Sequence, residues 1–293
     1  MMFDPTALFD YVISKISGAY TDRTVLAGVL FILAVLAVDF IRRRGAMGWS
    51  RRKVESFLAS LTIFHLNFLF VPFVWLAALW LQAAYEVIGL PRGDPQFWPQ
   101  MPGWVTVIAA IFFHDFANYW NHRAMHLKWL WPIHAIHHSD PDVNLATSYR
   151  VHFLESLVMW GSYTILLSWI GLPPGALGFA AVLIAIHNIY VHVDLDWDHG
   201  RFKYLLASPR FHRWHHADVP AAYGKNLANV FPFFDVIFGT YYVPGPCDKP
   251  LGADGIPQND VARLMLWPLI GWAQYLRQDL AELSQKRDEH RQV

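Results

Sequence analysis

"NHRAMHLKWLWPIHAIHHSD", residues 121–140, contains five histidines inside a chain that is otherwise apolar. His122 and His126 are four residues apart, so a helix presents both from one face, one turn apart. In "HAIHH", His134 shares a face with His137, and His138 lies one turn from His134. This spacing predicts helices that offer several imidazoles to a bound metal ion.

The triplet occurs a second time as "HRWHH", at His212, His215 and His216. Thirteen of the fifteen histidines lie between His114 and His216. A single histidine near a membrane surface is usually a hydrogen-bonded structural residue. Eight together need another explanation, because burying each without a partner costs roughly 1 to 3 kcal/mol. A shared metal site satisfies all eight at once.

The composition limits both the protein class and the metal chemistry. The 293 residues are 55% hydrophobic, 16% aromatic and 16% charged, which is too apolar for an ordinary soluble domain. The formal net charge of +0 gives no reason to expect nucleic acid as a partner. The single cysteine, Cys247, excludes internal disulfides and cysteine-based zinc or iron-sulfur sites. Any metal must therefore be held by nitrogen and oxygen.

Several apolar runs approach the ~20 residues that a helix needs to cross a bilayer. They cover residues 24–41, 57–84 with a kink expected at Pro72, 105–119, 156–172 and 175–193. The last two are separated by Pro173 and Pro174 and predict a tight helical hairpin. The predicted fold is an all-α integral membrane protein with about four to five transmembrane helices and a cytoplasmic, histidine-rich helical cap. The first run lacks the features of a cleavable signal peptide, so we expect it to be retained.

Three regions follow from this pattern. Residues 1–104 hold the N-terminal transmembrane helices and a basic link, residues 105–243 form the catalytic domain, and residues 244–293 follow it. Within the last region, "RLMLWPLIGWAQYLR" is too short to span and predicts an interfacial helix, or alternatively a lid packed on the catalytic domain. Residues 278–293 predict an exposed, charged tail.

The basic residues predict the orientation. The first link carries Arg42, Arg43, Arg44, Arg51, Arg52 and Lys53, whereas the second offers only Arg92. By the positive-inside rule the first link is cytoplasmic. Because successive spans cross the membrane in opposite directions, the histidine-rich segments should lie on the cytoplasmic face too. Without an endoplasmic reticulum retention signal or appended domains, we expect a bacterial cytoplasmic membrane, or the endoplasmic reticulum if the chain is eukaryotic.

The number of histidines favours two metal ions. A structural zinc site needs four ligands and a catalytic one three plus water, so eight or more imidazoles exceed either. Nitrogen-rich sites suit iron, copper, nickel or zinc, and affinity rules cannot choose among them.

Four segments resemble those of the fatty acid hydroxylase and sterol desaturase superfamily. They are "HDFANYWNHRAMH", "HHSDPDVNLATSYRVH", "SPRFHRWHH" and "KNLANVFPFFDVIFGTYY", and the resemblance extends over roughly residues 105–243. The order H-x-x-x-H, H-x-x-H-H and, about seventy residues later, H-x-x-H-H is similar to the family's histidine boxes. The resemblance implies an integral membrane di-iron enzyme that uses O2 to hydroxylate, demethylate or desaturate a lipid.

By the same resemblance, the metal ligands are His122, His126, His134, His137, His138, His212, His215 and His216, with His192 as a ninth. Asn188 or His187 could add a direct or water-mediated ligand, and His114 and His152 could support the site. His65, His199 and His290 are interpreted as structural or exposed. Carboxylates and amides near the boxes should include groups that orient the imidazoles: Asp115, Asp140, Asn144, Glu155, Asp218 and Asn226.

The implied reaction uses two iron ions, O2 and a lipid that enters from the bilayer with its chain among the spans. No Gly-rich dinucleotide loop or haem-attachment motif is evident, so electrons should come from a separate ferredoxin, cytochrome or reductase. The alternative is a histidine-rich membrane metal-binding or transport protein without oxygenase activity. The boxes cluster at one membrane face instead of stepping across it, which disfavours an ion relay.

Overall fold

The computed structural model of the protein describes residues 50–94 and 96–291, with two isolated positions at Leu30 and Ala34. The first expected span, residues 24–41, and Arg42 to Arg44 lie outside these ranges, apart from those two positions. In the described residues the regular elements are helical, and Ala217 and Leu251 form an isolated β-bridge. The α-helices are α1 (Arg51–Asn67), α2 (Val71–Ile88), α3 (Gly103–Met125), α4 (Trp131–His138), α5 (Phe153–Ile170), α6 (Pro174–Val191), α7 (Pro209–His215), α8 (Phe233–Ile237) and α9 (Val261–Arg291). Short 3-10 helices cover Trp98–Gln100, Leu145–Tyr149, Gly200–Phe202 and Pro220–Ala222.

A four-helix bundle forms the apolar part of the molecule. Helix α5 packs against both α2 and α3, and α6 packs on α3. Among the described residues, α2, α5 and α6 are long and apolar enough to cross a membrane. Helix α3 is longer, at 23 residues, but carries His114, Asp115 and Asn118 in its middle and is not one of these three. The chain is an integral membrane protein, with three of the expected spans in the described part.

The second expected span is wrong as a single kinked helix, because α1 and α2 are separate. Helix α1 begins after Ser50, whose side chain accepts a hydrogen bond from the Lys53 backbone N–H at 3.3 Å. The chain turns at residues 68–70, and Pro72 sits in the first turn of α2, where its missing N–H is harmless. Arg52 pairs with Asp142 at 2.6 Å. Helix α1 therefore packs with the polar segments beyond the end of the bundle. We call α1, α4, α7 and the loops that join them to the bundle the cap.

The expected hairpin between α5 and α6 is present. Gly171 ends α5 with a left-handed φ of 73°, and Pro173 and Pro174 start α6. The Gly93 N–H donates to the Trp169 carbonyl at 2.6 Å, and a Cβ on Gly171 would lie 2.7 Å from the Gly93 oxygen. The link between α2 and α3 thus closes this end of the bundle by direct backbone contact.

Helix α9 covers the opposite end. Its buried Leu264 and Trp267 pack with Ile63, Ala135 and Ile136 of α1 and α4. The start of this helix therefore packs on the cap, as the lid alternative predicts. The segment expected to be a charged tail continues the same helix to Arg291.

Candidate metal centre

All nine predicted ligands lie at helix ends on one side of the bundle. His122 is in the last turn of α3 and His126 follows it, while His192 directly follows α6. The triplets lie on the short helices α4 and α7, and His216 directly follows α7. Proline in the first turn starts both short helices, and the Ser208 side chain caps α7 by accepting from the Phe211 N–H at 3.2 Å.

The nine imidazoles form two groups. In each group, one ligand atom per residue lies within 4.8 Å of every other. The first group is His122, His126, His134, His138 and His215, and the second is His137, His192, His212 and His216. All members of the second group are buried. Each cluster has enough imidazoles to hold a metal ion.

Each triplet is divided between the two groups. In α4, His134 and His138 are four residues apart and join the first group, whereas His137 joins the second. In α7 the pair four residues apart, His212 and His216, joins the second group and the residue between them joins the first. Positions i+3 and i+4 are about 100° apart around a helix of 3.6 residues per turn. One short helix can therefore serve both groups.

Backbone carbonyls fix the tautomer of three imidazoles, that is, which ring nitrogen carries the hydrogen. The Nδ1 atoms lie 2.7 Å from the Leu227 oxygen for His122, 2.8 Å from the Lys225 oxygen for His215 and 2.6 Å from the Asn188 oxygen for His192. A carbonyl only accepts hydrogen bonds, so each Nδ1 carries the hydrogen and each Nε2 keeps a free lone pair.

The Glu155 carboxylate fixes the tautomer of His134 in the same way. The His134 Nδ1–H donates to the Glu155 carboxylate at 3.0 Å, and both side chains are buried. His134 therefore also presents a bare Nε2. Among the six polar residues expected to orient the site, Glu155 is the one that contacts an imidazole of either group directly.

The bare nitrogens face one another at short range. Nε2 of His122 and Nε2 of His134 are 3.0 Å apart, and Nε2 of His192 is 2.8 Å from that of His212. The first pair cannot be an ordinary hydrogen bond, because both hydrogens are already on Nδ1. Two nitrogens bound at about 2.1 Å to one ion, at a right angle, are about 3.0 Å apart. The donor set and its spacing therefore fit metal ions.

Eight of the nine imidazoles have a lowered pKa, which favours the neutral form that binds metal. Burial, and then the neighbouring imidazoles, lower the pKa of His137, His138, His212 and His216 well below the usual 6.5. Burial also lowers the pKa of His192 to about 4 and that of His215 to about 3.

A comparison with known families adds independent evidence. The sequence model of the fatty acid hydroxylase family matches residues 107–240, which include all nine histidines. Residues 107–240, a little under half of the chain, are thus similar to the fatty acid hydroxylase family. The resemblance read from the histidine boxes is thereby confirmed.

The proteins that resemble this chain act, by their names, on lipids or long-chain aldehydes. Alkylglycerol monooxygenase from Xenopus tropicalis is 30% identical over 54% of this chain and 33% of its own length. Ornithine lipid hydroxylase OlsE from Rhizobium tropici is 29% identical over 54% and 49%, and a very-long-chain aldehyde decarbonylase from Oryza sativa subsp. indica is 28% identical over 54% and 59%. The matches thus span between a third and three fifths of these relatives. No solved structure gives a significant match.

Two buried carboxylates hold the loop that carries the Leu227 carbonyl. Asp115 accepts from the backbone N–H groups of residues 229, 230 and 231, and Asp235 accepts from those of Leu227 and Ala228. The carbonyl that orients His122 is therefore fixed by side chains on α3 and α8. The sequence does not reveal these carbonyls as orienting groups, since every residue has one and no residue type marks them.

The other four expected orienting residues act within the protein framework. Asp140 accepts from the hydroxyls of Ser56 and Thr147, and Asn144 caps the 3-10 helix Leu145–Tyr149. Asp218 accepts from a tyrosine hydroxyl, and Asn226 bridges backbone groups on either side of it.

Four further candidates lie outside both groups. His152 caps α5 by accepting from the Leu154 N–H, and its Nε2–H donates to the Met265 carbonyl at 3.1 Å. Asn188 contributes its carbonyl to His192. His187 is in α6 and His114 contacts the Tyr163 ring, 4.2 Å between centroids. Among the described residues neither joins a metal group.

A cavity of about 1160 Å³ opens from the histidine groups into the four-helix bundle. Its walls at the near end include His122, His134, His137 and His212, and they continue between α3, α5 and α6 to Gly93 and Gly171. Much of the lining is apolar. The cavity therefore connects both histidine groups with the membrane part of the molecule.

Proposed function

We propose that the chain is a membrane di-iron oxygenase that hydroxylates or desaturates an unactivated C–H bond of a lipid, using O2 and electrons from a separate donor. The observation that carries this proposal is the pairing of two converging imidazole groups with a long cavity that opens onto them. The relatives named for monooxygenase and hydroxylase activities on lipids support the same reaction class.

The nine histidines in two groups would hold the two ions. Iron, when bound, would supply O2 activation and the oxidising power for the C–H bond. The chain's own contribution is to keep the imidazoles neutral by burial and to fix their orientation through Glu155 and three carbonyls. Iron is preferred over zinc because zinc chemistry does not use O2 and nine imidazoles exceed what one zinc site needs.

The substrate would be a lipid drawn from the bilayer. The cavity lies between the helices that are apolar enough to span the membrane, and its walls between α5 and α6 include Leu167, Leu172, Leu177 and Ile184. Burial of the chain there would exclude water from the reacting carbon. A fatty acyl chain, a sterol or a related lipid fits this description.

The histidine end would face the cytoplasm. Lys53, in the basic link, pairs with Asp194 at 2.9 Å, two residues beyond His192. The link that the positive-inside rule assigns to the cytoplasm is therefore tied to the same end of the bundle as the metal centre. A soluble ferredoxin, cytochrome or reductase could reach the site from that side.

The direct test compares the lipid mass spectra of a host with and without the full chain. An oxygenase adds one oxygen to a lipid species, and a desaturase removes two hydrogens. His137→Ala and His215→Ala, one from each group, should each abolish the new product. A chain that changed metal uptake but left every lipid mass unaltered would be a metal-binding or transport protein instead.

A further inference from the structure

Helix α3 carries a row of polar residues from the metal centre into the membrane part of the bundle. Asn118 lies one turn before His122, and His114 lies two turns before it, so all three fall near one face. All three line the large cavity. At a rise of ~1.5 Å per residue, Asn118 and His114 are about 6 and 12 Å from His122 along the helix.

Tyr163 of α5 contacts this row directly and also lines the cavity. Its hydroxyl donates to the Asn118 side-chain oxygen at 3.0 Å, and its ring lies against the His114 imidazole, 4.2 Å between centroids. We call Asn118, His114 and Tyr163 the polar trio.

The trio keeps hydrogen-bonding capacity that the protein does not use. Within residues 50–94 and 96–291, the Asn118 amide N–H groups have no hydrogen-bond partner, and neither does either ring nitrogen of His114. Polar groups at this depth are unfavourable without a partner, and in membrane proteins they mark functional positions. The metal groups do not account for the trio, because none of its residues belongs to either group.

The charge around the cavity limits what such a ligand can be. Of the described residues in its lining, Arg92 is the one arginine or lysine, and it pairs with Glu86 at 2.9 Å at the end remote from the histidines. A carboxylate or phosphate beside the trio would therefore lack a counter-charge. A neutral oxygen would not, since it can accept from the amide N–H of Asn118 and from the His114 ring.

We propose that the polar trio binds a neutral, oxygen-bearing group of the lipid, a hydroxyl or ether, and so sets which carbon lies beside the histidine groups. The reacting carbon is then one to two helix turns from that oxygen, while the rest of the chain occupies the apolar part of the cavity. The inference about the reacting carbon rests on the proposed function. Binding of the oxygen does not require turnover.

The test measures equilibrium binding of two radiolabelled probes, 1-O-hexadecylglycerol and hexadecane, to the full chain in lipid nanodiscs. The wild-type protein should bind the glycerol ether at least about tenfold more tightly than the alkane, because a buried hydrogen bond is gained. His114→Phe, Asn118→Leu and Tyr163→Phe should each weaken ether binding about tenfold. Each should leave alkane binding unchanged.

The matched control is Tyr85→Phe, which removes a tyrosine hydroxyl that donates to the Pro91 carbonyl outside the cavity. It should alter neither affinity, and metal content per chain should stay constant in all four variants. Equal wild-type affinity for the two probes, or an unchanged ether preference in the trio variants, would overturn the proposal. A parallel loss of both affinities would assign the trio to helix packing instead. Failure of the oxygenase reaction alone would leave the binding result unaffected.

Discussion

Replacing Glu155 with leucine should loosen one metal ion and leave the other in place. The Glu155 carboxylate accepts from the His134 Nδ1–H at 3.0 Å, and the two residues are 7% and 2% exposed, so the hydrogen bond lies away from the outer surface. An unpaired buried donor costs roughly 1 to 3 kcal/mol, and loss of a group that orients a metal ligand typically weakens metal binding by about 10 to 100-fold. His134 belongs to the first histidine group, whereas the second includes His192, which is oriented separately by a backbone carbonyl.

The assay is competition for ferrous iron between the purified full chain and a chromogenic chelator, under anaerobic conditions. The competition curve of Glu155→Leu should have two phases. One ion should bind about 10 to 100-fold more weakly than in the wild type, and the other should keep the wild-type affinity. Glu155→Gln should shift less, because an amide oxygen still accepts the bond. Glu86→Gln, an exposed carboxylate at the far end of the bundle, is the control and should change neither phase. Retention of both ions at wild-type affinity in Glu155→Leu, or equal weakening of both, would refute the reasoning.

Three further predictions concern stability, measured by thermal unfolding in detergent. Leu264→Ala removes a fully buried side chain from the contact between α9 and α4 and should lower the free energy of unfolding by about 2 to 5 kcal/mol, whereas Leu266→Ala, 55% exposed, should change it by under about 0.5 kcal/mol. Similar effects of the two would contradict the packing of α9 on the cap. Gly171→Ala should destabilise by at least about 1 to 2 kcal/mol, because φ is +73° and the added Cβ would lie 2.7 Å from a backbone oxygen; Gly175→Ala, with open space around it, should not. Burial lowers the pKa of His152 below 6.5, so its contribution to stability is complete above pH 6.5 and is lost as the pH falls towards the lowered value. His152→Asn keeps the helix cap, so a fall in melting temperature between pH 7 and 5 as large as that of the wild type would count against this assignment.

The sequence predicted the helical class, the hairpin and the end of the bundle that carries the histidines. Apolar runs and proline pairs mark these features locally. The run that contains Pro72 was misassigned, because hydropathy does not distinguish a kink from two helices. The position of α1 depends on contacts between residues distant in sequence. Its Arg52 and Lys53 form ion pairs with Asp142 and Asp194 of the cap.

The eight box histidines could be proposed as ligands from their spacing, whereas His192 was added through the family resemblance. The structure gathers all nine. Their division into two groups did not follow, since it depends on how α4 and α7 face each other and on where α6 delivers His192. Orientation by backbone carbonyls was also invisible in the sequence. Glu155 could be named beforehand because its residue type and position near the boxes are informative.

The most direct measurement is the metal content of the full-length protein, purified in a form that yields its lipid product. We expect two iron ions per chain. His192→Ala, in the second group, should reduce this towards one iron while the first group keeps its ion. Active protein that carried zinc alone, or a single metal ion per chain, would contradict this expectation.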